Sequence, residues 1–85
     1  MTYGTSYSTK ELQELLTKMM FIKAQGSEIQ KKYNFTIPDY ILEEIVTTRN
    51  KLDRLNLQLM INMAVINNRL TKGQARMLKK EYCYN

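Results

Sequence analysis

An 85-residue chain that is 44% hydrophobic and 25% charged, with three Gly and one Pro, has the composition of one small helical globule and not of a disordered tail. One cysteine, Cys83, and no histidine exclude an internal disulfide and a Cys/His zinc pattern, and suit a reducing cytoplasm. The net charge of +5 is unevenly placed: residues 1–48 hold five Lys/Arg and six Asp/Glu, a net of −1, whereas 49–85 hold eight and two, a net of +6. The basic half is the half suited to an anionic partner.

The whole chain, 1–85, reads as a single domain preceded by a polar-aromatic tail, 1–7, that carries Tyr3 and Tyr7. A domain of this size buries only about 60 to 65% of its unfolded surface, so pairing would add to a modest stability. Lys18 interrupts the first apolar run, and the charge-free stretch 55–68 is too short and too rich in Asn to span a bilayer. Neither export nor a membrane anchor is expected, and the cytoplasm is the expected location.

Ser8 and Glu11 form a capping-box pattern that opens a helix over about 9–33. Along it Leu12, Leu15, Met19, Ile22, Gly26, Ile29 and Tyr33 recur at alternating steps of three and four, with Gly26 as a weak point or bend. Glu14 and Lys18, and Glu28 and Lys32, stand at favourable i,i+4 spacing. The connection at 34–36 is short, which makes the next helix an antiparallel neighbour.

A second, longer helix is expected over about 37–70. Thr36 is its candidate cap, Pro38 suits the first turn and Asp39 the third position, while Phe35 and Tyr40 take staple positions. Its heptad places Ile45, Leu52, Leu59 and Ile66 at a, and Ile41, Thr48, Leu55 and Asn62 at d. Beyond the end of the first helix its final third is apolar almost all round and must be covered on more than one side. A second capping box, Thr71 to Gln74, opens a short helix over about 72–82 whose face Ala75, Leu78 and Tyr82 turns inward. Tyr3, Tyr7, Tyr82 and Tyr84 would meet at the overhanging end.

Catalysis is not expected. There is no His, no Gly-rich phosphate loop and no nucleophile elbow, and the adjacent Glu43 and Glu44 read as a solvated face near a positive helix end. Cys83, although near Lys79 and Lys80, reads as incidental, and neither a metal nor a cofactor is implied.

The strongest functional signal is a basic arc of roughly 100° on the last helix, counting 100° per residue. Lys72, Arg76, Lys79 and Lys80, joined by Arg69, are the candidate nucleic-acid contacts, with Tyr82 or Tyr84 available for stacking and Gly73 leaving an anion room at the helix N-terminus. The same arc would serve an acidic protein partner, or simply solvate the helix. Asn62 at a core-facing position is the kind of polar residue that fixes register between paired helices. It points to a homodimer in which overhanging segments cover each other, with Leu59, Asn62, Met63, Ile66, Met77 and Tyr82 as candidate partner or dimer contacts; Met60, Met63 and Met77 suit an adaptable surface.

Residues 59–82, and above all Asn68-Arg69-Leu70-Thr71-Lys72-Gly73-Gln74-Ala75, resemble the short C-terminal helical-hairpin modules of the SHOCT type found in bacterial proteins. Leu70-Thr71 matches the Ile-Thr of their turn, Asn67 or Asn68 takes the place of its Gly, and Gly73 and Ala75 stand where those modules carry an acidic and an aromatic residue. The resemblance implies a bacterial protein, from a phage or other mobile element, with an oligomerising or nucleic-acid-proximal role and no catalytic residues.

The expectation is thus an all-α protein: a long antiparallel helical hairpin, about 9–33 and 37–70, plus a short third helix, about 72–82, in a dimer. It would act as a small regulatory or accessory factor that binds nucleic acid, or else as a protein-binding inhibitor or adaptor working through its Met- and Tyr-rich end.

Overall fold

The computed structural model describes residues 8–84, and among them it has four helices: α1, Thr9–Gln30; α2, Asp39–Thr47; α3, Lys51–Ile66; and α4, Lys72–Tyr82. The tail at 1–7, with Tyr3 and Tyr7, lies outside the described residues, and so does the expected meeting of four tyrosines. All elements described are helical, and each helix packs on the next in sequence: α1 on α2, α2 on α3 and α3 on α4.

The Ser8 cap forms as the spacing requires. Ser8 Oγ accepts from Glu11 N at 3.2 Å, and Glu11 Oε1 accepts from Ser8 N at 2.9 Å. The Ser8 backbone N–H first, and then the Ser8 side chain, hold the Glu11 carboxyl below its usual range. The helix then runs unbroken through Gly26 for 22 residues, or about 33 Å. It stops at Gln30, three residues short of the expected end at 33, because the chain must turn to bring Ile37 into the core. Lys31 therefore reaches back to Glu28 at 3.2 Å, and this i,i+3 pair stands in place of the expected Glu28 to Lys32 pair.

Thr36 does not cap α2. Pro38 is the cap residue and makes no side-chain capping bond. The turn is held instead by the Gln30 side chain, whose Nε2 donates to Phe35 O at 2.7 Å and whose Oε1 accepts from Ile37 N at 2.8 Å. One amide thus satisfies both a donor and an acceptor of the connection, which leaves Ile37 free to be buried.

The expected helix over 37–70 is two helices. Thr48 is extended (φ −64°, ψ 130°) and Asn50 is the cap of α3 (φ −138°, ψ −178°). The Thr47 and Thr48 hydroxyls donate to carbonyls of the preceding turn, Thr48 Oγ1 to Glu44 O at 2.6 Å, which is the competition that makes Thr a poor helix continuer. On the other side Asn50 Oδ1 accepts from Asp53 N, and Asp53 Oδ2 accepts from Arg49 N, both at 2.9 Å. The ends that the break frees are therefore largely satisfied locally.

Three non-helical residues also reset the helical phase. The a/d seam expected to be covered is covered only in α2, through Ile41 and in part Ile45; in α3 its members Leu52, Leu55, Leu59 and Ile66 are exposed. What α3 buries is the opposite face, Leu57, Ile61 and Ala64, together with Ile37, Ile41, Leu42, Leu70, Ala75 and Leu78. This is the core, and Tyr33, Phe35 and Tyr82 flank it.

Candidate nucleic-acid interface

The segment that carries the basic residues is placed by two backbone devices. First, α3 ends in a Schellman arrangement: Arg69 N donates to Ala64 O at 2.8 Å and Asn68 N to Val65 O at 3.1 Å, with Asn68 left-handed at φ 60°. Asn tolerates that conformation better than most non-glycine residues, which is the physical content of an Asn at this point of the turn. Second, Thr71 and Gln74 cap α4 reciprocally, at 3.1 and 3.0 Å. Leu70, between the two devices, is buried and ties the turn to the core.

From that start the phase of α4 is determined. Ala75 and Leu78 are buried, and Tyr82 is half-buried with its hydroxyl 3.3 Å from that of Tyr33. Burial first, and then this bond, raise the Tyr82 phenol well above its ordinary value. The Tyr33 ring in turn leans on Phe35, centroids 5.5 Å apart, so the end of α4 is fastened to the α1–α2 connection. Sequence reasoning missed this junction. Its signal was three aromatic or tyrosyl positions flanking the core, which periodicity alone does not pair.

With that face turned inward, Lys72, Arg76 and Lys80 lie exposed, and Arg69 lies exposed in the turn before them. Arg69, Lys72, Thr71, Gln74, Val65 and Asn68 line an open depression at the N-terminus of α4. Gly73 sits in its first turn, where an added Cβ would meet only Thr71 Oγ1 at 4.0 Å, so the position is open surface. Lys79 differs from the other four. It is half-buried and its Nζ donates to Asn62 Oδ1 at 2.8 Å, which joins α4 to α3.

Of the other candidate contacts, Leu59, Met63, Ile66 and Met77 are exposed large apolar side chains. Asn62 is exposed, on the same side of α3 as Leu59 and Ile66, and Tyr82 is turned into the fold. The structure therefore gathers Leu59, Asn62, Met63 and Ile66 on one face, and places Met77 and Tyr82 on a different helix. Tyr84 is exposed, with Gln58 Nε2 3.4 Å from its hydroxyl. Cys83 is half-buried; burial raises its thiol pKa, against the opposing effect of Lys79 and then Arg54.

Among the described residues no group of three or more His, Cys, Asp or Glu is placed to hold a metal ion, and no helix is long and apolar enough to cross a membrane. No family model, curated protein or solved structure matches the chain.

Proposed function

We propose that this is a small, non-catalytic, cytoplasmic binding protein that contacts nucleic acid through the outer face of α4. The observation that carries the reading is the phase of that helix. Because Ala75 and Leu78 are buried, Lys72, Arg76 and Lys80 stand together on the solvent side, next to Arg69. Four cations within one turn and one short helix suit a phosphate backbone, which needs closely spaced positive charge and no fixed base pattern. Lys79 is a positioning residue in this reading, since its ammonium already serves Asn62. Tyr84, exposed at the far end, is the side chain available to stack on a base.

The proposal keeps the SHOCT-type reading of residues 59–82, an origin in a phage or other mobile element, the antiparallel hairpin of α1 with α2, and a homodimer using Leu59, Asn62, Met63 and Ile66. A second reading, a protein-binding inhibitor or adaptor, is favoured by one observation: Met63 and Met77 are 48% and 52% exposed, and such flexible side chains suit a contact surface.

The two readings separate by mutation. Lys72→Ala, Arg76→Ala and Lys80→Ala together should abolish binding of labelled duplex or single-stranded DNA by fluorescence anisotropy, while Met63→Ala with Met77→Ala should leave it within twofold. The reverse pattern, or no DNA binding by the native protein at about 50 mM salt, would transfer the argument to the protein-binding reading.

A further inference from the structure

Among the described residues, two apolar helix faces have no cover. On α1 the residues Leu12, Leu15, Leu16, Met19 and Met20 are 46 to 71% exposed. Counting 100° per residue they share an arc of about 140°. They continue the face that α2 covers at Gly26, where a Cβ would meet Leu42 Cβ at 3.5 Å. With nine residues, α2 is only about 13 Å long and cannot reach further along α1. On α3 the residues Leu52, Leu55, Leu59, Met63 and Ile66 are 48 to 74% exposed, within an arc of about 80° that lies opposite Leu57, Ile61 and Ala64.

The two faces match. Leu12, Leu15, Met19 and Leu52, Leu55, Leu59 both repeat at steps of three and four, the spacing that seats side chains of one helix between those of another. A continuous helix over 37–70 would have laid the second face on the first within one chain. The break at 48–50 turns it away, and the outer face of α3 stands exposed in its own fold.

We propose that the occupant of both faces is a second copy of this chain. Helix α1 of each copy lies on the outer face of α3 of the other, in a two-fold exchange. Area decides for this arrangement over α1 on α1 or α3 on α3. Each face presents roughly 500 Å² of apolar side chain, so one like-on-like contact removes about 1,000 Å² in all, below a standard interface, whereas the two contacts of an exchange remove about 2,000 Å². The exchange is also closed: every copy gives and receives one α1, and no complementary face remains to recruit a third. The inference rests on the homodimer reading above and assigns its contact to α1, which that reading did not use.

The test uses the full chain in light scattering at about 100 μM, with Leu16→Glu/Met19→Glu as an α1 variant and Leu59→Glu as an α3 variant. Both alter exposed positions, and helix content by circular dichroism checks their folding. The native chain should show twice 10.1 kDa, and each variant alone should weaken dimerisation at least 100-fold. Mixing the two variants should give mixed dimers tighter than either variant forms alone but weaker than the native dimer, because the mixed pair retains one contact between native α1 and native α3 while its other contact carries both sets of substitutions. A monomeric native mass would overturn both the exchange and the homodimer reading. A dimer indifferent to the α1 variant, or variants that fail to complement on mixing, would overturn the exchange alone.

Discussion

Gly26 offers a sharp test of how α1 meets α2. It is the one buried residue of α1, it lies mid-helix, and an added Cβ would stand 3.5 Å from Leu42 Cβ, an ordinary van der Waals distance. Glycine here therefore costs helix propensity without being demanded by the contact. Ala at the same place regains about 0.5 to 1 kcal/mol from the lower freedom of the unfolded chain and the better helix former, with a few tenths more or less from the new methyl contact. For a domain of 60 to 100 residues that corresponds to a rise in Tm of roughly 2 to 8 °C. Gly26→Leu carries three more heavy atoms into a space that Leu42 already bounds, and should cost about 1 to 3 kcal/mol by overpacking. Urea titrations followed by circular dichroism give both values. A destabilised Gly26→Ala would refute the reasoning, since it would mean that the two helices approach more closely than 3.5 Å between these carbons, or that α1 needs a bend at this residue. Neither variant should alter α4.

Gln30→Ala removes the amide that serves both Phe35 O and Ile37 N, and should destabilise by about 2 kcal/mol in the same titration; an effect under a few tenths would show that water replaces it freely. Asn50→Ala deprives α3 of its cap and should cost about 1 kcal/mol, with Asn50→Asp nearly neutral. Tyr82, its pKa raised in the fold, lends stability that is fully present below the ordinary phenol value of roughly 10 and is lost as pH rises through the folded value. In an absorbance titration the Tyr82 phenol should therefore ionise well above the ordinary phenol value, and Tyr33→Phe should bring it earlier; ionisation of Tyr82 at the ordinary value would contradict the Tyr33 contact. Burial likewise keeps the Cys83 thiol protonated, so its alkylation should be slower than that of a free cysteine at neutral pH and should accelerate above the ordinary thiol range; reaction at the free rate would remove that placement.

What sequence reading could reach depended on whether the information was local. The caps at Ser8 and Thr71 are local: each needs two residues three apart, and both form. The inward face of α4 follows from its own periodicity, with Ala75, Leu78 and Tyr82 turned in, and that alone turns Lys72, Arg76 and Lys80 outward. The unbroken run through Gly26 was likewise readable from the register on either side. The break at 48–50 was misread because no Gly or Pro marks it and the apolar spacing continues across it. The signal was present in Thr47-Thr48-Arg49-Asn50 followed by Asp53, two side chains that bond backward and one that caps forward, and the heptad outweighed it. Thr36 reads as the cap because a cap is sought next to its helix, whereas Gln30, which holds the turn, acts from across the connection. The commitment of Lys79 to Asn62 depends on how α3 and α4 cross, a tertiary quantity no spacing rule supplies.

The central claim is that the outer face of α4 neutralises phosphate, and the salt dependence of affinity tests it most directly. With Arg69, Lys72, Arg76 and Lys80 each meeting one phosphate, the logarithmic slope on duplex DNA should be about −3.6, a fall of roughly 150-fold between 50 and 200 mM salt for each bound copy. Replacing Arg76 and Lys80 by Ala should reduce the slope by about 1.8. A slope near zero, or one that the double substitution leaves unchanged, would contradict the account and make this face a solvated or protein-facing surface.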